Sequence, residues 1–182
     1  MSQAELGLQP DASRYTLPHF LEDVVDRHSD RVAIRFEEET VRYGELFEAA
    51  RAVAKGLAAA GVGKGAHVGL LLSNRPEWVV AAFGVSLVGG VVVPVNTFGT
   101  PEEIDTILRH SDTSTLILQR SLLKHRFLDD LLDRHGELKD GRPGQVRCEA
   151  LPALRRLFCV GLHEAEGAVE PWDALLLAGK EI

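Results

Sequence analysis

Residues 67–118 read HVGLLLSNRPEWVVAAFGVSLVGGVVVPVNTFGTPEEIDTILRHSDTSTLIL, and the alternation within them decides the fold. His67 to Leu72 is a nearly continuous apolar run, short enough to be a strand buried on both faces. Asn74, with Glu77 three residues later, predicts an N-cap and its reciprocal partner, opening a helix to about Val88. Gly89-Gly90 stops that helix, and the β-branched run Val91 to Val95 predicts the next strand. Thr100-Pro101-Glu102-Glu103 is a second capping box with proline at the first helical position, where its missing N–H costs nothing. Ile104, Ile107 and Leu108 form the buried side of that helix. Thr115 to Leu118 predicts a third strand. Doubly buried strands separated by helices and short loops imply an α/β fold, a layered and mostly parallel sheet flanked by helices.

N-terminal to this block, Leu17, Phe20, Leu21, Val24, Val25 and His28 share one face of a helix entered through Thr16-Leu17-Pro18. Val32 to Phe36 and Thr40 to Tyr43 predict a short hairpin around the turn Glu37-Glu38-Glu39, a solvated charge run rather than a catalytic cluster. A helix from about Gly44 to Ala60 buries Leu46, Ala50, Val53 and Leu57, widened by Phe47, Ala54 and Ala58. Gly61 ends it. C-terminal to the block the pattern loosens. Leu128 to His135 predicts a helix, Gly136 to Gly144 a surface loop, Arg155 to Val160 a strand, and Trp172 to Ala178 a short helix.

Composition narrows the function classes. The 182 residues carry a formal charge of −7, with 45% hydrophobic and 26% charged residues, an ordinary globular profile. Dispersed Lys/Arg among an excess of acids argues against nucleic-acid binding. Two cysteines, Cys148 and Cys159, form no disulfide framework and show no metal-ligand spacing, which points to the cytoplasm. Met1 to Ser13 lacks the basic start and apolar run of a signal peptide. The uncharged stretch Trp78 to Val95 has the length of a membrane span, but its glycine pair and Pro94 favour a buried helix and a strand, so no transmembrane segment is expected. Residues 1–15 are expected to be a flexible lead and residues 16–182 one domain.

Chemistry-bearing motifs are scarce. Gly61-Val62-Gly63-Lys64-Gly65 follows a helix and precedes a strand, the reverse of a dinucleotide or phosphate loop, so it is a helix stop and turn. The seven histidines show no i, i+4 pair on a helix. Ser111, Thr113, Ser114 and Thr115 lack the glycines that would bring backbone N–H groups to a phosphate. In doubly wound sheets ligands sit beyond the C-terminal strand ends, which makes Ser73-Asn74 and Asn96-Thr97 the candidate contacts, but capping and turn roles explain both pairs fully and are the favoured reading.

Five segments in register resemble the adenylate-forming superfamily of acyl-CoA synthetases, firefly luciferase and peptide-synthetase adenylation domains. Thr40 to Leu46 (TVRYGEL) resembles its first core motif. Gly61 to Val68 resembles GVGKGDRV, with Ala66 and His67 in place of the usual acidic–basic pair. Leu71 to Trp78 resembles LLxNSPEW, Leu87 to Asn96 resembles KAGAVVVPVN, and Thr100 to Ile104 resembles TPEEL. The VNTF variant (Val95 to Phe98) and Trp172 to Leu176 look most like synthetases acting on fatty or cyclic acids.

The resemblance implies an ATP-dependent acid–thiol ligase that joins a small-molecule carboxylic acid to coenzyme A through an acyl-adenylate, with Mg2+ as cofactor. Its phosphate-holding Ser/Thr/Gly-rich loop, magnesium pair, ribose aspartate and C-terminal lysine match nothing here. No catalytic, cofactor-binding or metal-binding residue is therefore assigned, and the chain is expected to be inactive alone. It would be an N-terminal portion cut before the phosphate loop, partnered by the missing catalytic part. The apolar surface left exposed there would favour a homo-oligomer. Two other classes fit the residues alone: a non-catalytic interaction module and a stand-alone Rossmann-like nucleotide binder.

Overall fold

A computed structural model describes residues 16–181; the expected lead at 1–15 lies outside the described residues. The element order is α1 (Leu17–His28), β1 (Val32–Phe36), β2 (Glu39–Arg42), α2 (Tyr43–Ala59), β3 (His67–Leu71), α3 (Pro76–Leu87), β4 (Val91–Pro94), α4 (Pro101–His110), β5 (Thr115–Gln119), α5 (Phe127–Arg134), α6 (Gly136–Lys139), β6 (Arg156–Val160), β7 (Glu170–Pro171) and α7 (Trp172–Ala178), with a 3-10 turn at Gly179–Glu181.

Strands β1 and β2 form an antiparallel hairpin apart from the main sheet. The main sheet has the order β4-β3-β5-β6-β7, every neighbour parallel. The expected α/β architecture is therefore present. The chain leaves β3 for β4 on one side and returns past it to β5 on the other. Right-handed crossovers in opposite directions put their helices on opposite faces.

Side chains of the central strands alternate between two cores. Leu71, Leu116, Leu118, Leu157 and Cys159 join Ile104, Leu108, Leu128 and Leu131 from α4 and α5. Val68, Leu70, Ile117, Phe158 and Val160 join Leu46, Val53, Leu57, Val85 and Leu175 from α2, α3 and α7. Both faces of the sheet are covered, which is why these strands carry no polar alternation. The uncharged run from Trp78 divides into α3, a glycine stop with Gly89 at φ +72°, and β4. Among the described residues no helix is long and apolar enough to cross a membrane.

Four local expectations are corrected. In α1 only Leu21 is fully buried; Leu17 and Phe20 are each 56% exposed, because α1 meets α2 and α3 along a narrow line. Ala58 of α2 faces solvent. The acidic turn is Glu37-Glu38, with Glu37 at φ +52°, while Glu39 is the first residue of β2. The segment at 136–144 is not all surface loop. Its first turn is α6, whose Leu138 is wholly buried and whose backbone carbonyl accepts from Ala168 N–H at 2.7 Å.

Candidate functional site at the strand ends

The divergence of β4 and β5 from β3 makes a switch point, and a crevice opens at the C-terminal ends of β3 and β5. A cavity of about 160 Å³ lies there, floored by Leu71 and Leu116 and walled by Gly99, Pro101 and Ile104 of the α4 entrance and Phe127 and Leu131 of α5. Lys124, His125, Asp130 and Arg134 bring polar groups to it. His125 stacks on Phe127 with ring centroids 5.9 Å apart and meets the edge of Phe98 at 6.3 Å.

Both expected contact pairs sit at this rim, in unequal roles. Asn96 Oδ1 accepts from Phe98 N–H at 3.0 Å, a local turn bond, and Thr97 is buried beside it. Ser73 N–H donates to Gln119 Oε1 at 2.6 Å, while Gln119 Nε2 donates to the Ser121 carbonyl. That tie across the ends of β3 and β5 is held by a buried glutamine that no sequence motif signalled. Asn74 is exposed and does not cap α3. The N-cap is Arg75, whose Nε and Nη2 donate to the two Glu77 oxygens at 2.7 and 2.8 Å. The capping-box expectation fails here because Pro76 at the first helical position fixes the start one residue later than Asn74 could serve. At Thr100 both reciprocal bonds form, Glu103 N–H to Thr100 Oγ1 and Thr100 N–H to Glu103 Oε2.

Electrostatics at this edge disfavour an anion. A helix N-terminus attracts negative charge through free N–H groups and its dipole. Here the first turns of α3, α4, α5 and α7 already carry Glu77, Glu102 with Glu103, Asp129 with Asp130, and Asp173. Burial alone would raise the Glu77 carboxyl, but hydrogen bonds from Arg75 and its own backbone N–H, with the Arg75 charge, outweigh it and hold it below the usual carboxylate range. Arg120 is committed to Asp129 and Glu166. Arg134 donates twice to Asp105, at 2.7 and 3.1 Å, and to the Pro101 carbonyl. The Gly61–Gly65 loop is at the opposite edge of the sheet, where Gly61 and Val62 N–H groups donate to the Ala58 and Leu57 carbonyls, the helix stop expected, and Gly65 N–H donates to the Gly89 carbonyl. Lys124 is the cation of the lining that no ion pair holds among the described residues, but at 160 Å³ the cavity is smaller than the roughly 300–1,000 Å³ of small-molecule sites and does not fit a triphosphate.

Two groups outside the rim were not foreseen. Cys159, inside the sheet, is buried, and burial pushes its thiol up to about 12. His135 Nε2 lies 3.0 Å from Asp105 Oδ2, and ligand atoms of His135, Glu137 and Cys148 all fall within 4.8 Å of one another. Burial raises the Cys148 thiol as well, while backbone N–H groups of Leu151 and Ala150 act against that.

Fold and rim together define a doubly wound α/β subdomain. The chain belongs to the AMP-binding enzyme family, whose sequence profile it matches over residues 21–169. It is 32% identical over 169 residues to YngI of Bacillus subtilis (strain 168), a protein named for acyl-CoA synthetase activity, covering 92% of this chain and 31% of that protein. It is 34% identical over 146 residues to tyrocidine synthase 3 of Brevibacillus parabrevis, covering 78% of this chain and 2% of that one. Among solved structures, an anthranilate CoA ligase with bound anthranoyl-AMP superposes with a TM-score of 0.72 at 25% identity, over 88% of this chain and 28% of the ligase. The chain thus spans less than a third of each of these three relatives.

Proposed function

We propose that the chain is the N-terminal scaffold of an ATP-dependent acyl-CoA synthetase, one that activates a carboxylic acid, fatty by preference, as its adenylate and passes it to coenzyme A. The observation that carries this reading is the 32% identity to YngI along 92% of the chain. In such an enzyme the carboxylate attacks the α-phosphate of ATP, and the developing charge needs preorganised cations and N–H donors. At the strand-end rim described above the helix N-termini and arginines are taken by its own carboxylates, which leaves Lys124 as the cation that no ion pair holds among the described residues. Magnesium, ATP and coenzyme A would then be held by residues outside 16–182, and this part supplies a wall on which the catalytic part packs. Phe98 and Leu123, 69% and 86% exposed beside that rim, fit a surface meant to be covered, by that part or by a second copy. A cytoplasmic setting accords with the two free, buried thiols.

Likeness to tyrocidine synthase 3 supports a second reading, an adenylating part of a peptide synthetase. ATP–pyrophosphate exchange tests both. Residues 1–182 alone are expected to give none, and the product of the whole reading frame is expected to exchange with fatty acids. Exchange by the 182 residues would overturn the scaffold role, and exchange with amino acids alone would favour the second reading.

A further inference from the structure

We propose that His135, Glu137 and Cys148 form a binding site for a borderline transition-metal ion of the zinc class, separate from the strand-end rim. His135 is the junction between α5 and α6, Glu137 lies in the first turn of α6, and Cys148 sits on the loop leading to β6. Burial of Leu138 pins α6 and turns the chain so that the three ligand atoms lie within 4.8 Å of one another.

The donor set is a nitrogen, an oxygen and a sulfur, the mixture that zinc accepts with three protein ligands and one position left to water. Tetrahedral bonds of about 2.0–2.3 Å put ligand atoms roughly 3.3–3.8 Å apart, so a spread of up to 4.8 Å must contract by as much as about 1.5 Å. Glu137 is exposed and can swing to supply that movement. His135 is held by a second carboxylate. Its Nε2 faces Asp105, itself clamped by Arg134, so a neutral ring donating from Nε2 keeps its lone pair on Nδ1. Carboxylate support of this kind fixes a ligating imidazole and strengthens it. The charges also close: with Asp105 paired to Arg134, one thiolate and the Glu137 carboxylate match a dication. Binding releases the Cys148 proton to solvent, and no electron is transferred.

Cobalt(II), a coloured substitute for zinc, is the probe. Titrated into chelator-stripped, tag-free protein, it is expected to give a thiolate-to-cobalt charge-transfer band saturating at one ion per chain, and zinc should bleach it. Cys159→Ser should keep the band and Cys148→Ser should abolish it. Glu137→Gln, at an exposed position that leaves the fold unchanged by circular dichroism, should weaken cobalt binding at least tenfold, and Asp105→Asn ten- to a hundredfold. No band in the parent protein, a band that survives Cys148→Ser, or equal affinity in Glu137→Gln and parent would each overturn the site.

Discussion

Glu77 and Arg75 show how a single pair sets the polarity of the strand-end edge. Each side chain is 29% exposed, and the guanidinium meets both carboxylate oxygens. The folded-state pKa of Glu77 is depressed, so its contribution to stability is present above the unfolded value and is lost as pH falls through the folded one. Urea midpoints measured from neutral pH down through the carboxylate range, about 4 and below, should therefore fall more steeply for the parent protein than for Arg75→Ala. Parallel curves would mean that the pair stores nothing in the folded state. Solvent screening keeps the effect small, because the pair is only partly buried. Cys159 stands at the other extreme: with its thiol pushed up to about 12 it stays protonated and acts as a small apolar filler.

The elements are held by close backbone approach as much as by their apolar stripes. Gly56 of α2 lies against α7, where a methyl group would stand 2.1 Å from the Leu175 carbonyl oxygen. That obstacle is backbone and cannot rotate away. Gly56→Ala should lower stability by about 1–3 kcal/mol, the usual range for overpacking, read as a reduced urea midpoint at unchanged slope. Gly63→Ala is the control, since nothing lies within 4 Å of its added methyl; an equal loss there would disprove the packing explanation. Elsewhere, element starts follow capping chemistry. The Thr100 box was legible because its partners are three residues apart and Pro101 reinforces the same start. At Asn74 the same signal misleads, since Pro76 and the Arg75–Glu77 pair set the first turn instead.

At the scale of the whole molecule, the two most exposed large apolar side chains among the described residues, Phe98 and Leu123, lie beside the rim. Phe98 follows β4 and Leu123 follows β5, both at the C-terminal edge of the sheet. Leu123 also sits at φ +53°, a conformation costly for a bulky side chain, in the tight turn closed by Leu122 and His125. If this edge is a docking wall, sedimentation of the isolated chain should show concentration-dependent self-association that Phe98→Ser with Leu123→Ser removes. An unchanged monomer in both would leave the edge as ordinary surface.

By itself the sequence determined the alternation of strands and helices, the parallel sheet, the turn role of Gly61 to Gly65 and the family. Each of these depends on side-chain period, on caps that reach three or four residues, or on motifs in register. Only the tertiary structure decided that Leu17 and Phe20 face solvent, that Gln119 ties Ser73 across two strands, and that α6 turns inward on Leu138. It alone brought Asp105, Arg134 and His135 together with Glu137 and Cys148. These groups lie on separate elements, and where two elements meet depends on how the crossovers seat them against the sheet, a long-range packing outcome with no local signature.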